Sequence, residues 1–115
     1  MKPKSTELEL AFHERMKQVA AQAKELYDYP APLFLRTIAE KGSLRAAQDW
    51  LAVRKPQEGF GTLFERGGIE GLRISMEGVI VFEPRWRELL TREEFKECVR
   101  RLEECDVPIP PDAIA

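Results

Sequence analysis

Residues 33–51 read LFLRTIAEKGSLRAAQDWL, and the fold class turns on how this stretch is broken. Gly42-Ser43 divides it into two short amphipathic segments. Pro32 stands at the first helical position, where its missing N–H costs nothing. Phe34 and Ile38 lie one turn apart, with Leu35 beside them. Gly42 suits the position just past a helix, where a left-handed backbone is cheap only for glycine. Ser43 is placed to cap the second helix by accepting from a free backbone N–H. Leu44, Ala47 and Leu51 then recur at i, i+3 and i+7, one face of a helix, with Trp50 on its flank. Two helices joined so tightly pack at a steep angle, as in a helix-turn-helix.

The run FLRTIAEKGSLRAA resembles the second helix, tight turn and third-helix start of the DNA-binding domain of LysR-type regulators. Val53 and Pro56 fall near that family's Val-x-x-Pro turn, and LFERGG at residues 63–68 echoes a later phrase. The resemblance implies nucleic-acid binding, with Arg45, Arg54 and Lys55 meeting phosphate. The chain departs from the pattern in three places. The span from Ala46-Ala47 to Leu51 is one residue too long. Residues 57–63, where a recognition helix belongs, carry Gly59 and Gly61, each costing roughly 1 kcal/mol in a helix interior. Leu51 to Leu63-Phe64 is too short for that helix and the turn after it.

Composition narrows the function classes. The chain has 115 residues, enough for one domain over 1–115, with 43% apolar residues to supply one core. Its net charge of −2 opposes a strong phosphate-binding surface, because nucleic-acid affinity rests on cation–phosphate contacts. No apolar run follows Met1-Lys2-Pro3-Lys4, so no signal peptide is expected, nor any membrane span. Cys98 and Cys105 lie seven residues apart, roughly 10 Å along a helix and beyond disulfide reach. Two reduced, half-buried thiols and a cytoplasmic location follow.

Residues 1–5 read as a lead-in to a helix opened by a Thr6–Glu9 capping box and running to Tyr27. Its stripe of Phe12, Met16, Val19, Ala23 and Leu26 suits either a helix laid across the core or a homodimer seam. His13, between Glu9 and Lys17, reads as solvated. Residues 27–32, YDYPAP, form a rigid aromatic linker. Phe60, Leu63 and Phe64 suit one helical turn that drops two aromatics into the core. Gly67, Gly68 and Gly71 mark a loop.

Leu72, Ile74 and Met76 alternate with Arg73 and Ser75 at strand period, and Val79-Ile80-Val81-Phe82 is β-rich. This favours a hairpin turning at Glu77-Gly78 over a short helix capped at Ser75. The fold expected is mainly α, about four helices with a helix-turn-helix-like pair and a small β-hairpin, winged-helix-like in arrangement. Thr91 and Glu94 form a second capping box, with Leu90 and Phe95 placed as its staple. The last helix, about 92–105, buries Phe95, Cys98, Val99, Leu102 and Cys105. It turns Arg100, Arg101 and several glutamates outward, with Glu97 and Arg101 paired at i, i+4. The proline-rich tail, 107–115, is extended chain that packs back over the core, serves as a short ligand for another protein, or is disordered.

No catalytic constellation is visible, and no metal site or cofactor motif. A serine nucleophile needs a base, and the chain has one histidine. The expected function is therefore binding: a non-enzymatic interaction or regulatory module whose partner is another protein or a second copy. Arg85-Trp86-Arg87 is the candidate contact, since Trp and Arg are enriched at interface hot spots. The competing role for Trp86 is to plug the core. Nucleic-acid binding through Arg45, Arg54 and Lys55 is the alternative.

Overall fold

The computed structural model describes residues 4–53 and 55–113, with side chains from residue 7. Among the described residues six α-helices follow one another: α1 (Lys4–Tyr27), α2 (Pro32–Lys41), α3 (Ser43–Ala52), α4 (Glu58–Arg73), α5 (Met76–Phe82) and α6 (Arg92–Glu103). Short 3-10 turns cover Pro84–Leu89 and Pro111–Ala113. The mainly helical class holds. Among the described residues there is no strand, so the hairpin and the winged-helix arrangement are both overturned.

Residues 76–82 are helical because they are enclosed. Val79, Ile80 and Val81 are all fully buried, so the segment needs no polar face and shows no helical period. The modest helical penalty of β-branched residues is outweighed by their burial. Ser75 caps the helix: its Oγ accepts from the Gly78 N–H at 3.0 Å and donates to the Leu72 carbonyl at 2.6 Å. Gly78 is not a turn glycine. A Cβ there would collide with the Leu72 carbonyl and the backbone of Arg73, so its absence lets α5 fold back onto the end of α4.

The expected loop around Gly67 is also helix. α4 runs through Gly59 and Gly61 and breaks only at Gly68, whose φ of 61° and ψ of −143° suit glycine alone. Phe60 and Leu63 turn inward as expected, but Phe64 is exposed. The segment in the place of a recognition helix thus spends its apolar face on the protein's own core.

α1 begins by Lys4, so Thr6 lies inside the helix rather than at its cap. Phe12, Met16, Val19 and Ala23 are buried within the chain and cannot form a dimer seam, while Leu26 is exposed. The helix pair forms as read: Pro32 opens α2, and the Gly42 N–H, at φ 85°, donates to the Ile38 carbonyl at 2.9 Å. Phe34 and Trp50 stack across the pair with centroids 5.2 Å apart. Ser43 makes no cap bond.

Trp86 seals the far side of α1. It is 1% exposed and meets Phe12 edge-on at 5.4 Å. Its indole N–H donates to Glu83 Oε1 at 2.8 Å, and Glu83 also receives a forked Arg15 at 2.7–3.1 Å.

One buried cation joins three helices. Arg101 and Glu77 are each 1% exposed, although the sequence suggested a solvated face for one and a turn for the other. Arg101 Nη1 donates to Glu77 Oε2 at 2.9 Å, and Nε donates to Glu97 Oε2 at 2.7 Å. Nη2 donates to the carbonyls of Trp50 and Val53 at 3.1 and 2.7 Å. Those carbonyls belong to the end of α3, where backbone acceptors lack helical partners and a positive charge is favoured.

Removing one partner strands the other charge, so Arg101→Met should cost about 3–5 kcal/mol in urea unfolding followed by circular dichroism. The double variant Glu77→Leu with Arg101→Met should recover much of that loss. A second expectation concerns acid. The Arg100 hydrogen bond, then that of Arg101, holds the Glu97 carboxyl at about 2, below the usual 4.5. Because the folded value is depressed, this stabilisation is full above about pH 4.5 and is lost as pH falls toward 2. Burial raises the Glu77 carboxyl and acts in the opposite sense. Comparison with Glu97→Gln isolates the effect: the variant's melting temperature should drop less steeply across that window.

Candidate functional site

The cluster Arg85-Trp86-Arg87 does not form an open anchor. Trp86 is inside the core. Arg87 is a clamp: Nη2 donates to the Val81 carbonyl at 2.7 Å, and Nη1 reaches the Asp112 carbonyl and Oδ2 at 3.2 and 3.3 Å. It thereby fastens the tail, whose Val107 is buried. Only Arg85 faces outward, lying over the Trp86 ring at 4.3 Å.

The residues of the nucleic-acid alternative are also dispersed in charge. Arg45 pairs with Asp49 at 3.3 Å, and Lys41 pairs with the same carboxylate at 2.6 Å. The Lys41 hydrogen bond leads in holding the Asp49 carboxyl below its ordinary value. Lys55 is exposed, and Arg54 lies outside the described residues.

His13 is not merely solvated. Its Nδ1 meets Ser43 Oγ at 2.7 Å across 30 positions of sequence, tying α1 to the start of α3. The pair borders a wide hollow of about 460 Å³ between α1 and the α2–α3 turn. Nothing local signals this contact, because it depends on how α1 crosses the helix pair.

A narrow cleft is assembled from four separated segments. Val19, Ala20 and Ala23 of α1 form one wall, and Phe60 and Leu63 of α4 form the other. The buried turn Ser75-Met76-Glu77 closes its inner end, while Leu33 and Glu58, both exposed, stand at the mouth with Tyr29. The cavity volume is about 80 Å³. That is below the roughly 150 Å³ that admits benzene, so it suits one side chain rather than a whole drug-sized ligand.

Tyr29 sets the mouth, at the end of a sharply bent linker. Asp28 and Ala31 take left-handed φ values of 54° and 48°, which bends residues 27–32 sharply. Arg66 Nη1 holds that bend by donating to the carbonyls of Tyr27 and Asp28 at 2.9 and 2.8 Å. The Tyr27 ring lies on Gly67 and the Tyr29 hydroxyl on Gly59, where any Cβ would meet the ring. Partial burial, then the Glu58 charge, raises the Tyr29 hydroxyl above its ordinary value, and Arg66 acts against this.

Among the described residues, no three His, Cys, Asp or Glu side chains gather where they would hold a metal ion. No described helix is long and apolar enough to cross a membrane. Both cysteines are free. Cys98 is fully buried rather than half-buried, and burial pushes its thiol well above the usual range. Burial also raises Cys105, with Glu104 and Asp106 adding to it. A disulfide reagent at pH 8 should therefore titrate Cys105 slowly in the native protein and reach Cys98 only in denaturant. Equal native rates would contradict this.

Comparison with known protein families, characterised proteins and solved structures gives no match, so the LysR-type resemblance of residues 34–47 carries no family assignment.

Proposed function

We propose that this chain is a non-enzymatic protein-interaction module, and that it docks a partner by taking one apolar side chain into the cleft between α1 and α4. The observation that carries this is the cleft itself. It is mainly apolar, it is sized for a single side chain, and Leu33 stands at its mouth 67% exposed. A large apolar side chain left in water beside a narrow apolar cavity resembles the anchor-and-pocket arrangement of interface hot spots. We place the protein in the cytoplasm, where two free thiols are the ordinary state.

Selection from a displayed peptide library on the immobilised protein tests this. Enriched peptides should share a bulky apolar residue. Ala20→Leu, which fills the cavity, should abolish their binding. Leu33→Ser, at an exposed position, should weaken it about fivefold, about 1 kcal/mol and so less than a central hot spot. Peptides that bind both variants as well as the parent, or no enrichment at all, would sink the proposal. Binding of a labelled DNA duplex that weakens steeply with salt and is lost in Arg45→Ala would replace it with the nucleic-acid alternative.

A further inference from the structure

The charge around the cleft points to what its occupant carries; this inference rests on the cleft being the docking site. The charged side chains lining it are two glutamates, Glu58 and Glu77, and no lysine, arginine or histidine is among its lining residues. Glu77 is at the inner end and is satisfied by Arg101 at 2.9 Å. Glu58 is different. It opens α4, it is exposed, and its carboxylate has no hydrogen-bond or ion-pair partner among the described residues. It stands close enough to Tyr29 for its charge to act on that hydroxyl, which itself makes no hydrogen bond among the described residues. Arg66, the cation that also acts on Tyr29, is committed to the carbonyls of Tyr27 and Asp28. The mouth therefore offers one apolar cavity, one unpaired carboxylate and one unbonded hydroxyl within reach of each other.

We propose that the occupant is a peptide segment in which one aliphatic residue is flanked by arginine or lysine. The apolar side chain enters between Ala23 and Leu63, and the flanking cation pairs with Glu58. Arginine fits best, because its planar fork can donate to the Glu58 carboxylate and the Tyr29 hydroxyl together. The apolar anchor supplies most of the affinity. The rim charge selects among anchored segments and sets the salt dependence of association, as partly exposed charges at interface edges do.

The test is a displayed library with one fixed leucine and randomised flanks, selected in parallel on the parent protein and on Glu58→Lys. The parent should enrich arginine or lysine at one flanking position. Glu58→Lys should shift that position to aspartate or glutamate, and should weaken the parent-selected peptides about three- to tenfold at low salt. Glu58→Gln, which keeps size and removes charge, should lose the basic preference and guards against a folding defect in the lysine variant. Leucine-dependent binders with no charged preference, or a preference that Glu58→Lys leaves unchanged, would overturn this inference while leaving the cleft as the docking site. Absence of any binder sensitive to Ala20→Leu would overturn both. A concentration-dependent dimer that Ala20→Leu dissolves would name a second copy of the chain as the occupant, and would overturn the peptide proposal.

Discussion

A single guanidinium holds the molecule's centre. Arg101 is out of water, and every one of its nitrogens has an acceptor on another turn of chain. Burying a charge is expensive unless it is paired and fully hydrogen-bonded, and here both conditions are met. The consequence is geometric as much as energetic. The end of α3, the first turn of α5 and the third turn of α6 must lie within one side chain's reach. Once they do, the enclosed helix α5 has fixed neighbours, and α4 must approach through the glycine contact at Gly78.

The cleft is a by-product of that arrangement made specific by the linker. Glu77 closes its inner end because Arg101 holds it there. Its mouth is defined by Tyr29, seated on a glycine in α4, and by Arg66, which clips the bend. Ala20 and Ala23 on α1 keep one wall shallow. Small residues on one helix and a rigid aromatic on a bent linker leave a gap that larger side chains would have filled.

What was legible in the sequence was local. The Thr91–Glu94 capping box forms in both directions, because its groups are four residues of one chain and need nothing else. Pro32 and Gly42 mark the ends of α2 for the same reason. Legibility failed where burial replaced periodicity. Residues 76–82 look like strand because a helix enclosed on all sides need not alternate. Glu77 and Arg101 looked like surface because charged residues usually are. The Arg85-Trp86-Arg87 cluster had the right residue types for an interface, yet Trp86 fills the core and Arg87 fastens the tail. The cleft was illegible, since its walls come from residues 19–23, 29–34, 57–63 and 74–77 and no spacing links them.

The enclosure of α5 also bears on how the molecule opens. Seven residues are too few to hold a helix in water, and Met76 through Val81 have no outer face. α5 is therefore ordered only while its neighbours stay assembled. Its backbone amides have no route to solvent through fraying, so their isotope exchange reports the opening of the whole body, the buried end of α4 at Leu72 included.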